Sequence, residues 1–260
     1  MRKDGCRTGR MAGAAQRMAA ILALVLAAST GVAGAGDRDP SAGDPWEPMN
    51  RGIFWFNDQL DVYLLEPVAR GWRWIAPEPV RRGVRNFFEN VRFPIVFVNE
   101  MLQAKPADAL RTAGRFTINT TLGIGGVLDP ASEFGLEATR EDFGQTLGVW
   151  GVPAGPYLVL PFLGPSTLRD TGGLAVDAAT AIYPWFADWL YLIGPRALEA
   201  VNTRAQFLDE VAEAKAASLD YYAAVRNAYQ QRRQADIEDR TDDADGKGGP
   251  DEELYEIVDP

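Results

Sequence analysis

The sequence of 260 residues contains no histidine and a single cysteine, Cys6. The lack of histidine excludes Ser-His-Asp triads, histidine general bases and histidine-ligated zinc. A lone cysteine excludes intrachain disulfides, CxxC redox pairs and cysteine-rich metal sites. Only carboxylate chemistry remains, so we expect either an acid–base hydrolase or a protein that is not an enzyme and holds neither cofactor nor metal.

Basic residues are also in the minority, since 26 Lys and Arg stand against 36 Asp and Glu and give a net charge of -10. A protein that binds the phosphate backbone of nucleic acid carries a basic surface. Nucleic acid is therefore not an expected partner.

The N-terminal region has the pattern of a secretory signal peptide, in which basic residues precede an apolar run at 18–29. This run is too short to span a bilayer comfortably. We predict cleavage after Ala35. Cys6 precedes the apolar run, whereas the acylated cysteine of a bacterial lipoprotein follows it, so we predict no lipidation.

The remaining chain divides by composition into three parts. Residues 36–43 form a short linker, and residues 44–233 form one ordered domain. Residues 234–260 are acidic and rich in glycine, and they contain too few apolar side chains to offset the entropy of ordering. We predict a disordered tail there.

Apolar residues recur every three or four positions in several segments, which predicts amphipathic helices. These segments are residues 79–91, 108–122, 198–216 and 219–233. In the first segment, Arg81, Arg82 and Arg85 lie opposite an apolar face that includes Phe87 and Phe88.

Two further segments lack this periodicity. Residues 94–102 are almost uniformly apolar, which predicts a segment that is deeply buried or faces lipid. Residues 149–163 carry several prolines and glycines, which predicts a loop or short extended chain. The predicted fold class is mainly α.

Aromatic side chains are concentrated between residues 46 and 97 and again between residues 183 and 191. Tryptophan and tyrosine favour the membrane–water interface, where a ring is half apolar and half hydrated. A soluble core also holds many aromatic rings. The aromatic content alone is compatible with both interpretations.

Several motifs occur together in a fixed order along the ordered domain. They are DPWEPMNR at 44–51, FN at 56–57, PVA at 67–69, VRNFFEN at 84–90, LGIGGVLD at 122–129, EDFGQTLG at 141–148, LPF at 160–162, LRD at 168–170 and TRA at 203–205. With this set, residues 44–233 resemble the MlaA (VacJ) family. The ordered co-occurrence is far more specific than any single motif.

The resemblance implies a ring-like domain of amphipathic interfacial helices around a central channel, with glycine- and proline-rich loops. It implies non-enzymatic intermembrane transport, which removes mislocalised phospholipid from the outer leaflet of the outer membrane. The expected location is the periplasmic face of the Gram-negative outer membrane, in the inner leaflet. The expected partners are phospholipid, the periplasmic lipid carrier MlaC and a trimeric outer-membrane porin.

The resemblance also suggests roles for individual residues. Candidates for the lipid channel or its gate are Phe56, Asn57, Asp61, Asn119, Asp129, Arg169 and Asp170. Candidates for the membrane interface are Trp55, Trp72, Trp74, Phe87, Phe88, Trp185 and Trp189. For the polar channel candidates, helix capping and buried hydrogen bonds are the alternative roles.

Two other functions remain open. The chain is a structural partner of an outer-membrane porin without lipid passage of its own, or it is a periplasmic hydrolase that uses carboxylates. The carboxylates available for the second alternative are Glu133, Glu137, Glu141, Asp142, Asp170 and Asp177.

Overall fold

The computed structural model describes residues 44–180 and 189–239, and this part of the chain is mainly α-helical, as predicted. The signal peptide, the linker, Trp185 and the tail beyond residue 239 lie outside the described residues. The first helices are α1 (Glu47–Leu60), a π-helical segment (Asp61–Leu65), α2 (Glu66–Ile75), α3 (Glu78–Val91), α4 (Phe93–Leu102), α5 (Pro106–Thr121) and α6 (Pro130–Glu133). They are followed by α7 (Phe143–Val149), β1 (Tyr157–Leu160), β2 (Gly164–Thr167), α8 (Leu168–Thr180), α9 (Trp189–Gln206), α10 (Leu208–Ala217) and α11 (Tyr221–Ile237).

Helices α1 to α6 each carry a proline in their first turn. At α3, where the preceding residue is extended, the missing N–H has no helical partner to lose. The predicted helix at 79–91 corresponds to α3, and the predicted helix at 108–122 corresponds to α5. The uniformly apolar segment at 94–102 forms α4. The helix predicted at 219–233 is α11, which continues to Ile237, so residues 234–237 of the predicted tail are helical.

The single helix predicted at 198–216 is wrong, because the chain leaves helical geometry at Phe207, where ψ is 27°. The break separates α9 from α10. It allows Leu208 to pack on Ala69 of α2 and Ala205 of α9, where all three residues are buried. Burial of Leu208 offsets the hydrogen bonds that an unbroken helix would have made.

The extended chain predicted within residues 149–163 appears as an antiparallel hairpin, in which Tyr157 pairs with Thr167 and Leu160 with Gly164. Asn50 and Asn57 of α1 attach the hairpin to the helices. The side-chain amide of Asn50 donates to the Tyr157 carbonyl and accepts from the Val159 N–H, so it pairs with β1 as a neighbouring strand would. The free edge of β1 is thereby covered.

Helices α7 and α8 cross at two glycines. A Cβ added to Gly173 would lie 2.3 Å from the backbone nitrogen of Gly144, far inside van der Waals contact. The close approach brings the loop that precedes α7 beside α8. Helix α11 then packs against α7 and β2.

The interior is unusually polar for a helical protein. The buried residues of α5 are Ala109, Thr112, Arg115 and Asn119. Leu110 and Leu122, which belong to the apolar face of the helix predicted at 108–122, are instead exposed. Helix α4 likewise buries Asn99 and Glu100. Within residues 44–180 and 189–239, no helix combines the length and the apolar character needed to cross a bilayer.

Candidate functional site

Helix α3 separates a polar cavity from an apolar one. On one side, Arg81, Arg82 and Arg85 line a cavity of about 390 Å³ together with Glu78 and with Gln206 of α9. Positions 78, 81, 82 and 85 fall on one helical face because they are three or four residues apart. The periodicity of the sequence predicted this face, but not the part played by Gln206.

The opposite side of α3 borders an apolar cavity of about 590 Å³. Its lining comprises Pro79, Val80, Gly83, Val84, Phe87 and Phe88 of α3, Val127 of the loop between α5 and α6, and Gly194, Pro195 and Leu198 of α9. Gly83 permits this packing, since a Cβ there would lie 3.0 Å from Cγ1 of Val127. The two cavities therefore offer charged and apolar surfaces on one helix.

Three predicted channel residues lie along α1 and the π-helical segment. Phe56 is 43% exposed, and its ring meets that of Phe162 at the hairpin turn, with the centroids 5.5 Å apart. Asn57 donates to the Leu160 carbonyl and accepts from the Phe162 N–H. Neither residue lines the two cavities beside α3.

The third of these residues, Asp61, belongs to an ionic cluster. Its carboxylate accepts from Arg204 Nε at 2.7 Å and from Lys215 Nζ at 3.3 Å. Burial acts to lower the pKa of Lys215, but hydrogen bonding to Asp58 and the nearby carboxylates outweigh it and raise that pKa. The cluster ties the π-helical segment to α9 and α10.

Asn119 and Asp129 meet at the junction of α5 and α6. Asp129 caps α6 through the Ser132 N–H, and it also accepts from Arg115 Nη2 at 2.8 Å and from Asn119 Nδ2 at 2.7 Å. Burial acts to raise the pKa of Asp129, but hydrogen bonds from Ser132, Arg115 and Asn119 lower it overall. Asp129 thus caps a helix, and Asn119 makes hydrogen bonds to Asp129 and to the Ala131 N–H, which are the alternative roles named for the polar channel candidates.

Arg169 and Asp170 belong to a larger cluster that we call the ionic junction, formed by Asp142, Arg169, Asp170, Tyr229 and Arg233. Arg233 Nη1 and Nη2 donate to both oxygens of Asp142, at 2.6 and 2.7 Å. Arg233 Nη2 also donates to Asp170 at 3.1 Å, and Tyr229 donates to Asp170 at 2.8 Å. Burial opposes ionisation of Asp170, but Arg233 and Arg169 hold its pKa at about 2.

A second buried acid, Asp177, lies beside the ionic junction. Asp177 accepts from the Phe143 N–H at 2.9 Å and from Asn99 Nδ2 at 3.2 Å. Burial raises the pKa of Asp177 to about 6, and the nearby charge of Asp142 acts in the same direction. Burial also raises the pKa of Glu141, against the effect of its contacts with Gln103 and Lys105.

The predicted membrane-interface residues fall into two groups. Trp55, Trp74 and Phe87 are exposed, at 64%, 88% and 41%. Phe88 is half-buried beside Phe87, at 5.5 Å between ring centroids, and it lines the apolar cavity. Trp189 begins α9, and its side chain lies outside the described residues, as does all of Trp185.

Trp72 differs from the exposed tryptophans. It is half-buried against the Ala69, Ala205 and Leu208 cluster, and its Nε1 donates to Asn202 Oδ1 at 3.0 Å. The helical face that Trp72 shares with Ala69 packs against α9, which explains why it points inward.

Sequence reasoning missed Arg233 as the centre of the ionic junction, because its partner Asp142 is 91 residues away. One local signal was present. Arg233 continues the spacing of Tyr222, Val225 and Tyr229 on the buried face of α11, four residues after Tyr229. An arginine that continues an apolar face predicts a buried carboxylate partner.

The chain matches the model of the family described as MlaA lipoprotein over residues 42–236. It is 41% identical over 215 residues to the intermembrane phospholipid transport system lipoprotein MlaA of Shigella flexneri, covering 81% of this chain and 85% of the relative. The protein of that name from Escherichia coli K12 is 40% identical over the same shares of both chains. The one from Haemophilus influenzae is 37% identical over 223 residues, covering 82% and 87%.

A solved structure is also similar to this fold. It comes from work on the structural basis for maintenance of bacterial outer membrane lipid asymmetry. The TM-score is 0.67 at 39% sequence identity, and the match covers 75% of this chain and 99% of that chain.

Proposed function

Because the chain belongs to the MlaA family, we propose that it is the outer-membrane component of an intermembrane phospholipid transport system. In this role it takes mislocalised phospholipid from the outer leaflet of the outer membrane and passes it toward the periplasm. It makes and breaks no covalent bond.

The observation that carries this proposal is the placement of a charged and an apolar cavity on two sides of α3. A head group that leaves water loses hydration worth several kcal/mol for each unmatched polar or charged group. Guanidinium and amide groups replace that hydration, while apolar side chains remain available to acyl tails. A helix of this design suits a ligand with one polar and one apolar end.

The exposed aromatic residues support a position at the membrane surface. Trp55 and Trp74 lie on successive helices, α1 and α2, with Tyr63 between them in the π-helical segment, and all three are exposed. Amphipathic helices bind the interface through buried apolar area. We place the protein in the inner leaflet of the outer membrane, at its periplasmic face.

The proposed partners follow from family membership. Phospholipid released on the periplasmic side needs a soluble carrier that shields its tails from water, and MlaC has that role. A trimeric outer-membrane porin provides a stable site in the bilayer. The direction of lipid flow is set by these partners, because a passive channel supplies no energy.

The test is the amount of phospholipid on the surface of a deletion strain. We expect deletion to raise outer-leaflet phospholipid and sensitivity to detergent, and expression of this chain to reverse both. If surface phospholipid stays normal on deletion while porin assembly fails, the porin-partner alternative replaces the proposal. Turnover of a lipid or glycan by the purified protein would establish the hydrolase alternative.

A further inference from the structure

The cavity beside α3 that is lined by Glu78, Arg81, Arg82, Arg85 and Gln206 has the size of a small-ligand pocket. Its volume of about 390 Å³ lies within the range of about 300–1,000 Å³ that is typical of such sites. Each lining side chain is charged or carries an amide. The pocket therefore suits a compact polar group better than an acyl chain.

The arginines of this pocket are poorly matched by carboxylates of the protein. Arg82 pairs with Glu78 at 3.1 Å, but Arg81 donates to the Ala205 carbonyl at 3.3 Å and Arg85 to the Gln206 amide oxygen at 3.1 Å. The carboxylate paired with Arg85, Glu89, lies 3.9 Å from its Nε. Among the described residues, three guanidinium groups thus face one lining carboxylate.

One donor atom in the pocket is left without an acceptor. Nε of Arg81 is buried and has no hydrogen-bond partner within the described parts of the chain. A buried donor without an acceptor destabilises the protein. The Nε of Arg233 is likewise buried without a partner, but Arg204 and Arg233 each meet a carboxylate at 2.7 Å or less, which Arg81 does not do among the described residues.

The pocket is also held in shape before any ligand binds. Gln206 donates through Nε2 to the Asn202 carbonyl at 3.2 Å, and Asn202 in turn donates to the Arg81 carbonyl at 3.0 Å. The first contact lies within α9, and the second joins α9 to α3 beside Arg81. Planar guanidinium groups suit the bidentate binding of phosphate oxygens.

We propose that this pocket binds the phosphate ester of a phospholipid head group and is the point at which the protein recognises its cargo. The inference rests on the proposed transport function and assigns a site within it. The required chemistry is a phosphate-ester anion, which a lipid head group or a free phosphate ester supplies. The experiment separates the two sources.

Binding to the purified full-length protein is measured by calorimetry with three probes. Dihexanoyl phosphatidylglycerol supplies phosphate and tails, dihexanoylglycerol supplies tails alone, and glycerol 3-phosphate supplies phosphate alone. The test variant is Arg81→Gln with Arg85→Gln. The control is Arg111→Gln, which removes an exposed arginine that is paired with Asp108 within α5 and lines neither cavity.

We expect the double variant to bind phosphatidylglycerol about tenfold more weakly, because charge-assisted hydrogen bonds are lost. Its affinity for dihexanoylglycerol should not change, and the control should match the wild type with every probe. Equal phosphatidylglycerol affinity of variant and wild type would overturn the proposal. If glycerol 3-phosphate binds as tightly as the lipid, the pocket is a free phosphate-ester site and the assignment to a head group is wrong.

A folding defect of the double variant would show as a lower unfolding midpoint. The replacement is then Arg82→Gln, since Arg82 has the most exposed side chain of the three arginines, at 57%, and tolerates substitution best. We expect it to weaken phosphatidylglycerol binding in the same direction, and unchanged affinity would again overturn the proposal.

The surface-phospholipid assay separates this inference from the transport function. Wild-type chain that fails to restore surface phospholipid contradicts the function itself. Wild-type chain that restores it, together with an equally effective Arg81→Gln/Arg85→Gln variant, leaves the function standing and rejects the pocket.

Discussion

The ionic junction and the helical segment at residues 47–75 differ in which residue types they bury and which they expose. At the junction, Arg169, Asp170 and Arg233 are charged and less than 10% exposed. Along the segment, Trp55 and Trp74 are aromatic and mostly exposed. Soluble proteins more often expose charged residues and bury aromatic ones.

Each of the two arrangements has its own physical explanation. Buried charges persist at the junction because each is matched by an opposite charge and hydrogen bonds. Exposed aromatic rings are typical of surfaces that bind a partner or a membrane. The internal side-chain network therefore maintains the shape of the fold, and the exposed rings form the surface that the proposed function assigns to lipid.

The largest expected change in the free energy of unfolding comes from a substitution in the ionic junction. Replacing Arg233 with Met leaves Asp142 and Asp170 without their shared cation, and we expect the free energy of unfolding to fall by about 3–5 kcal/mol. Denaturant unfolding of the purified protein measures it. The control Arg111→Met, at an exposed pair, should lower stability by less than about 1 kcal/mol. Equal effects of the two changes would show that the junction is not a stabilising network.

The next effect concerns the glycine crossing that positions the junction. Gly173→Ala forces a methyl group into the backbone of Gly144, and we expect a loss of about 1–3 kcal/mol. Gly71→Ala is the matched control in helix α2, because no atom lies within 4 Å of its added Cβ. That control should gain about 0.5–1 kcal/mol from helix propensity. A neutral Gly173→Ala would mean that the helices separate at little cost.

A smaller effect is expected in the helical segment at residues 47–75, and it concerns membrane binding rather than the stability of the fold. Trp74→Ser should weaken partition into phospholipid vesicles by about 1–2 kcal/mol, about tenfold, and leave the unfolding midpoint in water unchanged. Flotation with vesicles measures the partition. Trp72→Ser should instead lower the unfolding midpoint and leave vesicle partition unchanged, since Trp72 packs inside and donates to Asn202. Loss of stability in both variants would contradict the division between inner and outer tryptophans.

The smallest effect is a pH dependence at the edge of the junction. The folded-state pKa of Asp177 is about 6, above the ordinary value of 3.8, so the folded state binds more protons than the unfolded state between these values. Stability should therefore rise by about 1 kcal/mol as the pH falls from 7 to 5. The lowered pKa of Asp170 reduces stability only at still lower pH, as that group protonates. Asp177→Asn should flatten the rise, and an unchanged slope would assign it to other groups.

Much of the fold and part of the site follow from local sequence. The amphipathic pattern of α3 predicted both of its faces, including the three arginines that line the polar cavity. The break at Phe207 was missed because it depends on the packing of Leu208 against Ala69, 139 positions earlier in the chain. The inward orientation of Trp72 was missed for a similar reason, since its hydrogen-bond partner Asn202 lies 130 residues away.

By itself, the sequence determined the mainly helical class and the excluded chemistries, and its ordered motifs predicted the family. Periodicity and composition act over a few residues, so one chain read alone reveals them. Only the tertiary structure decided that Asn57, Asp61, Asp129 and Asp170 join helices and strands through hydrogen bonds. It also decided that Gln206 of α9 lines the polar cavity beside α3. Contacts between residues that are distant in sequence depend on how the helices pack and not on local pattern.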